Sequence, residues 1–239
     1  MVFSGSIEST IKRTGGRMRT IISLTLMLSM IFCGLSASLA QDQPCADASE
    51  AGTRLRAVTA LIDSIPDMRA KDDPALKITL KEMYVELVKL NLEKPTSADV
   101  YFQMARYYRF KSQNWSAMKH LDKALFFNPL HTGSLVLRGD IYSERFKDNF
   151  QTGFEDSYKR AKINYEAALK VEGLAKEVEA DIYLKLGDLN DIYELPAKKA
   201  EAREYWNKAA LLAPGSAPSK AAIVRLGKSG KTTDSDGGA

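Results

Sequence analysis

Two runs in this chain carry the same spacing of small and large residues. Ala117, Leu121, Ala124, Leu125 and Pro129 recur as Ala202, Trp206, Ala209, Ala210 and Pro214. Tyr158, Ala161, Tyr165, Ala168 and Leu169 form a third copy between them. Small residues at these positions let a neighbouring helix approach closely, and the large one fills the hole between them. The unit predicts stacked helical hairpins, which bury a continuous core and expose a long surface rather than a closed pocket.

The first helix of each unit carries a matching pattern. Tyr101, Ala105 and Tyr108 return as Leu135, Gly139 and Tyr142, each 34 residues on. Tyr183, Leu186 and Gly187 continue the series, with Asn190 in place of the tyrosine. These residues resemble the tetratricopeptide repeat family over roughly 97–215. The resemblance implies an all-α, right-handed α-solenoid of helical hairpins, and it leaves function open. About ten extra residues separate Tyr142 from Tyr158, so repeat two carries an insert.

The expected order of segments is a signal peptide at 1–40, a flexible lead-in at 41–48 and a degenerate opening hairpin at 49–94. Repeat one follows at 95–129, repeat two at 130–173, repeat three at 174–215, a capping helix at 216–228 and a disordered tail at 229–239. In the opening hairpin, Leu55, Val58, Leu61, Ile62 and Ile65 share one helical face. Pro66 is expected to interrupt that helix. Leu76, Leu80, Met83, Tyr84, Leu87 and Leu90 mark the second helix, which stops before Pro95. Thr96, Ser97 and Asp99 are N-cap candidates for repeat one.

Residues 18–40 read as a bacterial secretory signal. Arg19 supplies charge, Ile21 to Leu35 is apolar, and Ser38-Leu39-Ala40 offers small residues before a cut at Gln41. An uncleaved anchor is the other reading, and the start is either Met1 or Met18. Phe32 before Cys33 disfavours a lipoprotein. The expected destination is the periplasm or the exterior, with no membrane span after cleavage. The chain has 34 basic and 30 acidic residues. Removing residues 1–40 leaves 30 and 29, a balance that steers the protein to neither nucleic acid nor an anionic membrane. Cys45 is then a single thiol without an internal partner.

The resemblance implies that the first helices line a concave groove. Its groove positions fall on Asp99, Phe102, Arg106, Arg109 and Phe110, then Gly133, Val136, Asp140, Ser143 and Glu144, then Asp181, Leu184, Asp188, Asp191 and Ile192. The groove is expected to be basic and aromatic at one end and acidic at the other, which would orient a bound peptide. The Lys and Asn clamp of the family's chaperone-tail members is not implied, because Phe102, Arg106, Leu137, Asp181 and Lys185 stand at its places. In the insert, Phe146, Phe150, Phe154 and Tyr158 recur every four residues, either as an apolar helix seam or as a partner-binding ridge.

Other motifs carry less. Arg138-Gly139-Asp140 spells an adhesion tripeptide, but Gly139 is at a packing position within a helix. Asn114-Trp115-Ser116 reads as the turn between helices. His120 and His131, the two histidines, lack the spacing of a metal site. No phosphate-binding loop, dinucleotide turn or nucleophile elbow is present in the sequence, so no enzyme, cofactor or metal is expected. The leading expectation is a non-enzymatic exported scaffold that binds a peptide or protein segment of an envelope assembly. The alternative is a solute-binding accessory protein that holds a small hydrophobic or acidic ligand for a transporter, which would need a closed pocket.

Overall fold

The structure is a computed structural model that describes residues 50–70, 74–148, 155–193 and 195–231. Among the described residues it is all-helical. The helices are α1 (Glu50–Ala70), α2 (Leu76–Glu93), α3 (Ala98–Phe110), α4 (Asn114–Phe127), α5 (Thr132–Asp148), α6 (Glu155–Leu169), α7 (Lys176–Asp191), α8 (Pro196–Leu212) and α9 (Ala217–Lys231). The hairpins α3–α4, α5–α6 and α7–α8 are the three repeats, and the α1–α2 pair packs on α3. At the other end α9 lies on α7 and α8. Short connections make sequential helices neighbours, and stacking buries the stripe that a lone hairpin would leave wet.

Local signals place the boundaries. Ser97 caps α3, its hydroxyl accepting from the Val100 amide at 3.4 Å. Pro196 stands in the first turn of α8, where its missing N–H costs nothing. Gly173 and Gly215 end repeats two and three with φ of 74° and 84°, a region that suits glycine.

The core follows the small–large pattern. Ala105, Ala117 and Leu121 of repeat one pack together with Ile141 of repeat two. Tyr165 is buried among Ala161, Ala168, Leu186 and Leu189, and Trp206 among Ala202, Ala209 and Ala222. A Cβ at Gly139 would meet the Tyr165 ring at 2.5 Å, and one at Gly187 would lie against the Trp206 indole. Both glycines are therefore required by close approach of an aromatic ring.

Four expectations are corrected. Pro66 does not interrupt the first helix, because α1 runs on to Ala70; burial of Val58, Ile62 and Ile65 outweighs one missing hydrogen bond. Asn114-Trp115-Ser116 is the start of α4, not a turn, since the Ala117 amide already bonds Gln113 O at 3.0 Å. The capping helix extends to Lys231 through Gly227, so the tail does not begin at 229. Phe146 is not part of an exposed ridge. It is 2% exposed and packs against Tyr158 and Tyr193, with ring centroids 5.5 and 5.3 Å away. Phe150 and Phe154 lie outside the described residues, as do the signal at 1–40, Cys45 and residues 232–239. Among the described residues, no helix is long and apolar enough to cross a membrane.

Candidate functional site

The first helices of the hairpins, α3, α5 and α7, open a groove of about 740 Å3 to solvent. Phe102, Val136, Leu137, Leu174 and Val178 form its apolar walls, with Pro218 of α9 also lining it. Gly133 admits Phe102, whose ring would stand 2.7 Å from a Cβ there. A smaller hollow of about 260 Å3 shares Leu137, Asp140 and Lys185 with it, and reaches Arg109, Ser143, Glu144 and Asp188.

Most groove charges are taken up by the protein itself. Arg106 donates to Asp63 of α1 at 2.6 Å and to Gln103 at 3.2 Å, and its guanidinium lies 5.8 Å from the Phe102 ring centre. Arg109 donates to Glu144 of α5 and to Asn114 at 2.8 Å. Asp140 accepts from the Tyr165 hydroxyl at 2.8 Å and pairs with Lys185 at 3.0 Å. Asp188 accepts from Trp206 Nε1 at 3.0 Å and from Arg225 Nε at 3.0 Å. The expected split into a basic and an acidic end is therefore corrected: each arginine has a carboxylate from a neighbouring helix, and the acidic end is threaded with Lys185 and Arg225.

The surroundings shift several groups. Burial pushes the Asp181 carboxyl up, Lys185 opposes that, and Asp140 and Asp188 add to it. Burial would lower Lys185, but Asp140 and Asp181 outweigh it and hold the ammonium above its ordinary value. Burial, then the Asp140 charge, hold the Tyr165 hydroxyl far above its ordinary range. At the groove edge the hydrogen bond from His131 keeps Asp99 low against burial. These directions describe a wall in which Lys185 is held charged by surrounding carboxylates.

The structure brings Phe102, Arg106, Asp140 and Asp181 to the main groove, and Arg109, Glu144 and Asp188 to the adjoining hollow. It does not bring Phe110 or Leu184 there. Phe110 packs against the core of the opening hairpin, and Leu184 against the Trp206 cluster. Lys185, Glu177, Val178 and Leu174 line the groove without having been singled out as site residues. The signal was present for three of them: residues 178, 181 and 185 are spaced three and four apart, one face of α7, with 177 beside them. The adhesion tripeptide is tied down, with Arg138 on Asn164 and Asp122, and Asp140 engaged as above. Among the described residues, no group of three or more His, Cys, Asp or Glu side chains is placed to hold a metal ion.

No family model matches this chain, and no curated protein matches it. Among solved structures it is similar to that from the functional characterization of Pseudomonas aeruginosa pilF, a tetratricopeptide-containing protein, at 19% identity and a TM-score of 0.51. The match covers 78% of this chain and 79% of that one. At that identity the likeness shows the fold, an α-solenoid of tetratricopeptide-like hairpins.

Proposed function

We propose that this chain is an exported, non-enzymatic scaffold that holds a peptide or protein segment of an envelope assembly in the groove between its first helices. The observation that carries this is the open groove, in which Phe102, Val136, Leu137, Leu174 and Val178 supply apolar lining beside charged residues. An extended segment or helix can lie along such a channel, whereas a small solute needs a more enclosing site. Phe146 of the insert is buried in the core and does not line the groove. That weighs against the small-ligand alternative. Residues 18–40 support export through their charged, apolar and small-residue order.

A photo-crosslinking residue at Val178, which is 40% exposed, tests the groove in intact cells. The same residue at Ile163, exposed on α6 outside the groove, is the control. Adducts at position 178 and not at 163 support the reading; equal adducts, or adducts at 163 alone, contradict it. N-terminal sequencing of the same material is expected to begin at Gln41, and a chain retaining residues 18–40 would contradict export with cleavage.

A further inference from the structure

The groove's charges divide into those already engaged and those left over. Arg106 is held by Asp63 and Gln103, so it has little left to offer a partner. Lys185 sits 3.0 Å from Asp140 but 3.9 Å from Asp181. Asp181 has no hydrogen bond from Lys185, and its side chain is 46% exposed to the groove. Glu177 lies four residues earlier on the same face of α7, lines the groove and is exposed. Among the described residues, neither carboxylate has a cation within hydrogen-bonding distance, and Lys185 stands 3.9 Å from Asp181. Arg225 is taken by Asp188.

Resting on the groove reading above, we propose that the segment bound there carries a lysine or arginine beside apolar residues, and that Asp181 and Glu177 receive it. A basic group placed between them would complete the charge of the wall, while Val136, Leu174 and Val178 take the neighbouring apolar side chains. An acidic segment would meet the excess carboxylate and would have to displace Asp63 or Asp140 from its cation. Like-charge juxtaposition of this kind suppresses wrong partners more strongly than a matched pair adds affinity.

The test is a selection of displayed random dodecapeptides on the purified exported chain. Three proteins are compared: wild type, the Glu177→Gln/Asp181→Asn double variant, and Val178→Trp, which fills the groove. Circular dichroism checks that each is folded. Wild type is expected to enrich Lys or Arg about threefold or more among peptides rich in Leu, Val, Ile and Phe, and less so in high salt, which screens exposed charges. The double variant should lose the basic enrichment and keep the apolar one, and Val178→Trp should lose both. Acidic or charge-blind enrichment that Val178→Trp abolishes overturns the basic partner and leaves the groove reading standing. Enrichment that Val178→Trp does not touch, or none at all, overturns both.

Discussion

Repeat one and repeats two and three solve the same packing problem with different residues. Repeat one sets Ala105 with Leu121 in one small cluster. Repeats two and three remove the Cβ and put a ring in its place, Gly139 under Tyr165 and Gly187 under Trp206. A larger knob needs a deeper hole, so the glycine follows from the ring. The rings also bring a polar handle, which a buried Tyr or Trp must satisfy. In both repeats the next residue supplies the acceptor: Asp140 takes the Tyr165 hydroxyl and Asp188 takes Trp206 Nε1. Where repeat one has no such ring, the matching residue is Arg106, free to reach back to Asp63 of the opening hairpin. The Gly-Asp dipeptide is thus a packing device whose carboxylate happens to stand on the groove wall.

The largest expected effect falls on the ring-bearing repeats. Gly187→Leu drives a branched side chain into the indole of Trp206, and overpacking costs typically about 1–3 kcal/mol, occasionally more. Gly139→Leu should behave alike against Tyr165. The urea midpoint should fall clearly in both; an unchanged midpoint would break the proposed contact. The comparison is sharpened by converting repeat two towards repeat one. Gly139→Ala and Tyr165→Leu should each destabilise, but together they should cost less than the sum, with a coupling of about 1 kcal/mol. Strict additivity would mean that the small and large positions do not sense each other.

A smaller effect belongs to repeat one alone. The His120 ring stacks on Tyr108 at 5.0 Å and on Tyr101 at 6.1 Å, and its Nδ1 is buried with no hydrogen-bond partner among the described residues. Burial, then Lys123, lowers its pKa from 6.5. A group depressed in the folded state contributes stability that is present above the unfolded value and lost as pH falls through the folded one. Stability should therefore decline below about pH 6.5, and His120→Phe should flatten that part of the curve. Urea unfolding between pH 8 and pH 5 reads this out; the same slope in the variant would contradict it.

Periodicity made the frame legible, because the second-helix pattern and the Gly or Ala of the first helix are the packing itself. The groove was legible only as a set of faces. Arg106 and Arg109 read as free cations, yet their partners Asp63 and Glu144 lie 43 and 35 residues away, beyond any helical period. Phe146 read as a seam first and a ridge second, since a four-residue spacing puts rings on one side without saying which side meets the core. Lys185 occupied a groove face in plain view, but its role depends on Asp140 of another helix.

The central claim is that the groove carboxylates are of two kinds, Asp140 and Asp188 holding rings in place and Asp181 left for a partner. Urea unfolding of Asp188→Ala beside Asp181→Ala at pH 7 tests it most directly. Asp188→Ala leaves the Trp206 N–H and Arg225 without their acceptor and should cost about 1–3 kcal/mol. Asp181 is raised in the folded state, so its contribution is present at low pH and lost as pH rises through its folded pKa. At pH 7 its removal should leave stability within about 0.5 kcal/mol of wild type or slightly above it. Equal losses in the two variants would contradict the division, and with it the assignment of Asp181 to a partner.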